Sequence, residues 1–171
     1  MEIMWIERVW AMPNKETFMI KPIRKLLISE VDNTGWGWID PFARNSKWAQ
    51  ITNDLNPDTS ATFNKDALEF LQMWDDNSLE GCLYDPPYSL RQLKECYDSV
   101  GEDLEHWKTQ TYFSSLKKEI ARIIKPGGKV ICFGWNSGGI GKTNGMKLER
   151  ILMVPHGGPH HDTIVTVEVK T

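Results

Sequence analysis

The chain has 171 residues, of which 40% are hydrophobic and 25% charged, with a formal net charge of −3 and a pI near 5.8. That length suits one domain, residues 1–171, with a sizeable core, and excludes a catalytic domain joined to a large recognition domain. The acidic balance excludes the broad basic footprint of a general nucleic-acid binder, so any such contact must be local. Three cysteines, Cys82, Cys96 and Cys132, form no CxxC pair, and two of them lie in apolar runs, as expected of a reduced, cytoplasmic protein. No apolar run approaches membrane-spanning length, and the amino terminus lacks the basic-then-apolar pattern of an export signal.

Residues 1–20 mix apolar and charged side chains (Ile3, Trp5, Ile6, Val9, Trp10) before a turn at Pro13-Asn14, and Thr17–Ile20 reads as extended. Pro22 suits the first turn of a helix whose apolar face is Ile23, Leu26, Leu27 and Val31. Trp36–Ile39 is a strand ending in Asp40-Pro41-Phe42-Ala43-Arg44-Asn45-Ser46. An acid and small residues directly after a strand let backbone approach a charged ligand, although the usual glycines are missing. The next strand, Ala49–Thr52, leads into Asn53-Asp54-Leu55-Asn56-Pro57. Asp54 either accepts both hydroxyls of an adenosine ribose or closes an Asx turn before Pro57. An amphipathic helix follows, with Phe70, Leu71 and Trp74 on its apolar side. Asp66 near its start is either the helix cap or an acceptor for an adenine amino group.

The stretch with the most chemistry is Gly81-Cys82-Leu83-Tyr84-Asp85-Pro86-Pro87-Tyr88. A short apolar run reads as a buried strand, and two prolines without N–H groups end its pairing, presenting Asp85 and Tyr88 rigidly at its carboxyl end. In open α/β sheets ligands bind at that end. The exocyclic amine of a nucleobase is a poor nucleophile because its lone pair is delocalised into the ring. The Asp85 carboxylate and the Pro86 carbonyl can accept both amine hydrogens and favour a tetrahedral nitrogen, while Tyr88 stacks on an extruded base. The bland alternative is a Pro-rich turn with a capping Asp.

Residues 89–100 read as helical and 101–112 as a mobile loop, together a lid or substrate-facing insertion with Tyr97, Trp107 and Tyr112. Phe113, Leu116, Ile120, Ile123 and Ile124 then fall at helical spacing, Pro126-Gly127-Gly128 stops that helix, and Lys129–Phe133 is another buried strand. Residues 147–154 and 163–169 form a final strand pair. Asn136–Thr143 nearly spells a phosphate-binding loop but begins with Asn where the motif has Gly, so it reads as a flexible Gly-rich loop able to touch substrate phosphates. His156, His160, His161 and Asp162 sit in a Gly/Pro turn ill suited to coordination geometry and read as a solvated turn, with no metal expected.

On these motifs, from Phe18–Ile23 through Asp40–Ser46, Thr52–Leu55, Asp85–Tyr88 and Phe133–Gly139 to His161–Val167, the chain resembles the small phage and prophage S-adenosylmethionine-dependent N6-adenine DNA methyltransferases. The resemblance implies a Rossmann-like α/β fold: a seven-stranded, mostly parallel sheet with one antiparallel strand and helices on both faces. One of those strands is unassigned unless part of residues 1–20 or of the lid is extended. It implies S-adenosyl-L-methionine as cofactor and adenine-containing DNA as partner. Lys21 and Pro22 match the segment near the cofactor's methionine end, and Asp40, Pro41, Phe42 and Ala43 the turn beneath it. Asp54 matches the ribose acid, Asp66 with Ala67 the adenine end, and Asp85, Pro86, Pro87 and Tyr88 the catalytic tetrapeptide. The missing first-turn glycines, replaced by Ala43-Arg44-Asn45-Ser46, are a departure. With no separate recognition domain expected, target choice falls to loops 89–112 and 134–147, to a second copy, or to a partner subunit. The rival readings are the same fold acting on RNA or a protein amide, and a cofactor-holding module without turnover.

Overall fold

Apolar runs without polar alternation must be covered on both faces, and the architecture follows from two of them. In a computed structural model describing residues 4–171, these runs lie in β4 (Leu79–Tyr84) and β5 (Ile124–Gly134), parallel neighbours at the centre of a seven-stranded sheet. The other strands are β1 (Trp5–Arg8), β2 (Trp38–Asp40), β3 (Ile51–Thr52), β6 (Met146–Val154) and β7 (Thr163–Lys170). Their order is β1-β6-β7-β5-β4-β2-β3, and β7 alone runs antiparallel to its neighbours.

Alternate residues of each central strand serve different layers. Cys82, Tyr84, Val130 and Cys132 face a core built with α2 (Ala67–Gln72), α3 (Leu90–Ser99) and α4 (Lys108–Ile123). Leu83, Ile131 and Phe133 face a second core with α1 (Lys21–Glu30). The α1 stripe of Ile23, Leu26 and Leu27 is fully buried there, each side chain contributing about 1.5–3 kcal/mol. The fold is thus the expected α/β sheet with helices on both faces.

Several boundaries differ from the sequence reading. The unassigned strand is β1, on the β6 edge, while Ile3 lies outside the described residues. Thr17–Met19 is a turn of 3₁₀ helix instead of extended chain. Trp36 stands exposed before β2. Residues 101–112 are only partly loop, because α4 begins at Lys108. Pro126-Gly127-Gly128 does not separate helix from strand: Ile124 already pairs with Leu79, the register shifts, and Lys129 resumes pairing with Gly81, so 125–128 bulge out of β5.

Candidate active site

The chain leaves β2 for β3 on one side of it and returns to β4 on the other, so the direction of winding reverses at β2. Outside the carboxyl ends of strands at such a switch point lies a crevice, and here it is a cavity of 660 Å³, within the usual range of small-molecule sites. Its walls bring together segments far apart in sequence: Pro41 and Phe42 after β2, Asp54 after β3, Ala67 on α2, and Asp85 to Tyr88 after β4. Leu93 and Cys96 of α3 also line it.

Asp85 and Tyr88 are held by their neighbours. Ser89 caps α3 by accepting from the Gln92 N–H, and the Gln92 side chain accepts from the Tyr88 N–H at 2.7 Å. The Tyr88 hydroxyl donates to Asp85 Oδ1 at 2.5 Å. Burial pushes the Asp85 carboxyl above the usual carboxylate range, against hydrogen bonds from Tyr88 and Thr17 and the Arg44 charge that pull it down. Burial, reinforced by the Asp85 charge, pushes the Tyr88 phenol up, so the proton stays on the phenol and the carboxylate accepts. The Tyr88 ring meets Trp135 edge-on at 5.5 Å, and Trp135 in turn lies against His161 at 4.3 Å. The half-exposed Trp135 indole thus stands between Tyr88 and His161.

Asp54 satisfies both of its sequence readings in part. Its Oδ1 accepts from the Asn56 N–H at 2.9 Å, which is the Asx turn, while the carboxylate lines the cavity. Its Oδ2 accepts from the Arg44 N–H at 2.9 Å, tying the turn after β2 to the turn after β3. Arg44 has φ 52°, a left-handed conformation that costs a non-glycine residue about 1–2 kcal/mol. The left-handed backbone that glycine adopts freely is therefore present here, with an arginine side chain on it. Ala43 lines only a small recess of about 20 Å³ next to the cavity. Asp40 is fully buried beneath the turn. Its Oδ1 accepts from the Phe42 N–H, its Oδ2 has no partner, and burial holds its carboxyl well above the usual range. Lys21 and Pro22 line neither space; Lys15 and Thr17, just upstream, do.

Asp66 lines the cavity but its lone pairs are occupied. Oδ1 caps α2, accepting from the N–H groups of Leu68 and Glu69. Oδ2 accepts from Tyr112 at 3.0 Å, from Lys108 Nζ at 3.1 Å, and in a short bond from Tyr97. Burial alone raises its pKa, yet the Tyr97 and Lys108 hydrogen bonds, with the Lys108 charge, leave it below the usual value. An adenine amino group finds no acceptor here without displacing one of those donors. The cap is what the structure shows. Lys108, buried among Tyr97, Trp107 and Tyr112, escaped the sequence reading because its segment looked like a polar loop; its aromatic neighbours were the available signal.

The two other sequence candidates turn out structural. In the Gly-rich loop, the N–H groups of Ile140 and Gly141 donate to the buried Glu168 carboxylate at 2.6 and 2.9 Å, so an internal acid already fills the anion cradle and no substrate phosphate is needed there. His156 is no solvated residue: it is buried, bonded through Nδ1 to the Ala11 carbonyl and through Nε2 to Thr163 Oγ1, both at 2.8 Å. Among the described residues, no three His, Cys, Asp or Glu side chains gather where a metal could bind. Nor is any helix among them long and apolar enough to cross a membrane.

No family model and no curated protein matches the sequence. Solved structures do match in fold. TrmN from Thermus thermophilus superposes with a TM-score of 0.56 at 16% identity, covering 90% of this chain and 49% of that one. SMU.776, a candidate methyltransferase complexed with SAH, gives 0.52 at 12% identity, over 85% and 49% respectively. PH0851 gives 0.50 at 13%, over 78% and 42%. The chain thus spans about half the length of these proteins, and the likeness establishes that it has the Rossmann-like methyltransferase fold.

Proposed function

We propose that the chain transfers a methyl group from S-adenosyl-L-methionine to N6 of an extruded adenine in DNA. The observation that carries this reading is the placement of Asp85, fixed by two prolines at the carboxyl end of β4, in one continuous cavity with Asp54 and the turn after β2. The resemblance carried by Asp85–Tyr88 supports adenine in DNA as the acceptor, and the fold shared with a candidate methyltransferase complexed with SAH supports the donor. The cavity suits that donor: its volume is adequate, and the carboxylates of Asp54 and Asp85 favour a cationic sulfonium.

When bound, the donor supplies a methyl group on a sulfonium that leaves as a neutral thioether. Asp54 accepts from the ribose hydroxyls, and Pro41 and Phe42 wall the nucleoside. Asp85 and the Pro86 carbonyl accept the two amine hydrogens, so the nitrogen lone pair points at the methyl carbon. For this the Tyr88 hydroxyl shares or leaves Asp85, and its ring stacks on the base beside Trp135. As the N–C bond formed and the C–S bond broke, the surplus amine proton would pass to water. Positioning supplies most of the acceleration, because the leaving group needs no activation. Target choice is assigned to the segments around α3 and Trp135, or to a second subunit.

Incubation with methyl-labelled S-adenosylmethionine and DNA, RNA or bulk protein, followed by mass spectrometry of digests, tests this. N6-methyladenine in the DNA is expected. Label confined to RNA or protein overturns the substrate, and donor binding without label in any acceptor overturns the activity.

A further inference from the structure

Of the acids that line the cavity, Asp66 is paired with Lys108 and Glu95 with Arg91, which leaves Asp54 and Asp85 beside the cations Lys15 and Arg44. Asp54 and Asp85 attract a sulfonium and repel a carboxylate, so the anionic end of a zwitterionic amino acid has two cations to go to. Of these, Arg44 is the better built. It borders both the cavity and the adjoining recess, and it shares Thr17, Phe42 and Asp85 between them. Its backbone is fixed in the left-handed region and bonded through its N–H to Asp54, so the base of the side chain is immobilised. One guanidinium nitrogen donates to the Lys15 carbonyl at 3.1 Å, which orients the fork. Its other donors meet no protein acceptor among the described residues. The guanidinium charge reaches across the cavity, since it is felt both at Asp85 after β4 and at Cys96 on α3.

We propose that Arg44 clamps the α-carboxylate of the donor's amino-acid end, so that the residue standing where a glycine is usual becomes the specificity determinant for the whole donor over its nucleoside portion. This rests on the donor assignment above. A planar fork suits a carboxylate, which accepts two parallel N–H bonds from it. The amino group of the same zwitterion then falls toward Glu16 and Asp85, the acids of the recess. Arg44 touches cofactor in this scheme and not the reacting amine.

The test is calorimetric, with two probes sharing adenosine and a 5′-thioether: S-adenosylhomocysteine, which has the amino-acid end, and 5′-methylthioadenosine, which lacks it. Arg44→Gly removes the side chain while keeping the left-handed backbone, so its thermal midpoint should equal or exceed that of the parent. We expect Arg44→Gly to weaken S-adenosylhomocysteine at least tenfold and methylthioadenosine less than twofold. Equal losses on both probes, or no loss on the first, overturn the assignment while leaving the donor site intact. A parent protein that binds neither probe overturns the donor assignment and this inference with it.

Discussion

Asp85 and Tyr88 form a unit in which burial decides who holds the proton. The carboxyl is pushed above its ordinary range and the phenol is pushed up as well, so below the carboxyl's raised pKa the acceptor is lost. Activity should therefore fall on acidification at a higher pH than the ordinary Asp value of about 3.9. Because the Tyr88 hydrogen bond is one of the influences holding Asp85 down, Tyr88→Phe should move that acid limb further upward while keeping the stacking ring. Single-turnover rates across pH decide it, and an unmoved limb would separate the two residues. Asp54→Ala should weaken S-adenosylhomocysteine by about tenfold, or about 1.4 kcal/mol, as titration calorimetry can measure. Both Asp54 readings could be written from sequence because an Asx turn and a ribose acid need the same residue after a strand. Asp66 also left two readings open, but the donors that filled it came from 31 to 46 residues away, beyond what local spacing reveals.

At the scale of elements, two contacts hold the site's frame. Gly81 lets the Trp38 indole lie across β4, since an added Cβ would stand 2.5 Å from its ring. Gly81→Ala should cost about 1–3 kcal/mol of overpacking, read as a lower urea midpoint, and a neutral result would mean β2 shifts freely against β4. The Lys108–Asp66 pair joins the start of α4 to the cap of α2. Lys108→Met should destabilise by about 1–3 kcal/mol, less than stranding a bare buried ion, because Asp66 keeps donors from Leu68, Glu69, Tyr97 and Tyr112. The Asp66 carboxyl is depressed on folding, so its contribution is present above the ordinary carboxylate pKa and is lost as pH falls through its lower folded value. Helix α4 was legible from Phe113 onward, where apolar spacing begins, and illegible over 108–112, where a buried cation carries the packing. Strand β1 was hidden for the opposite reason: Trp5 and Ile6 are exposed on a sheet edge and show no buried pattern.

Across the whole molecule, the sheet was the most legible feature, because strands buried on both faces read as unbroken apolar runs and Pro86-Pro87 marks the end of β4, whereas Pro126-Gly127-Gly128 marks a bulge inside β5. What the residues could not disclose is which ends meet. Strand order alone puts the turns after β2, β3 and β4 around one cavity, and the chemistry depends on that meeting. Whether Asp85 grips and aims an amino group in the donor's cavity is decided by single-turnover methyl transfer to adenine-containing DNA by Asp85→Ala, with S-adenosylhomocysteine affinity measured on the same preparation. The rate should fall by at least about 100-fold with affinity changed less than about threefold, since Asp85 is assigned to the amine and only marginally to the donor. A rate equal to that of the parent protein at saturating donor would contradict it.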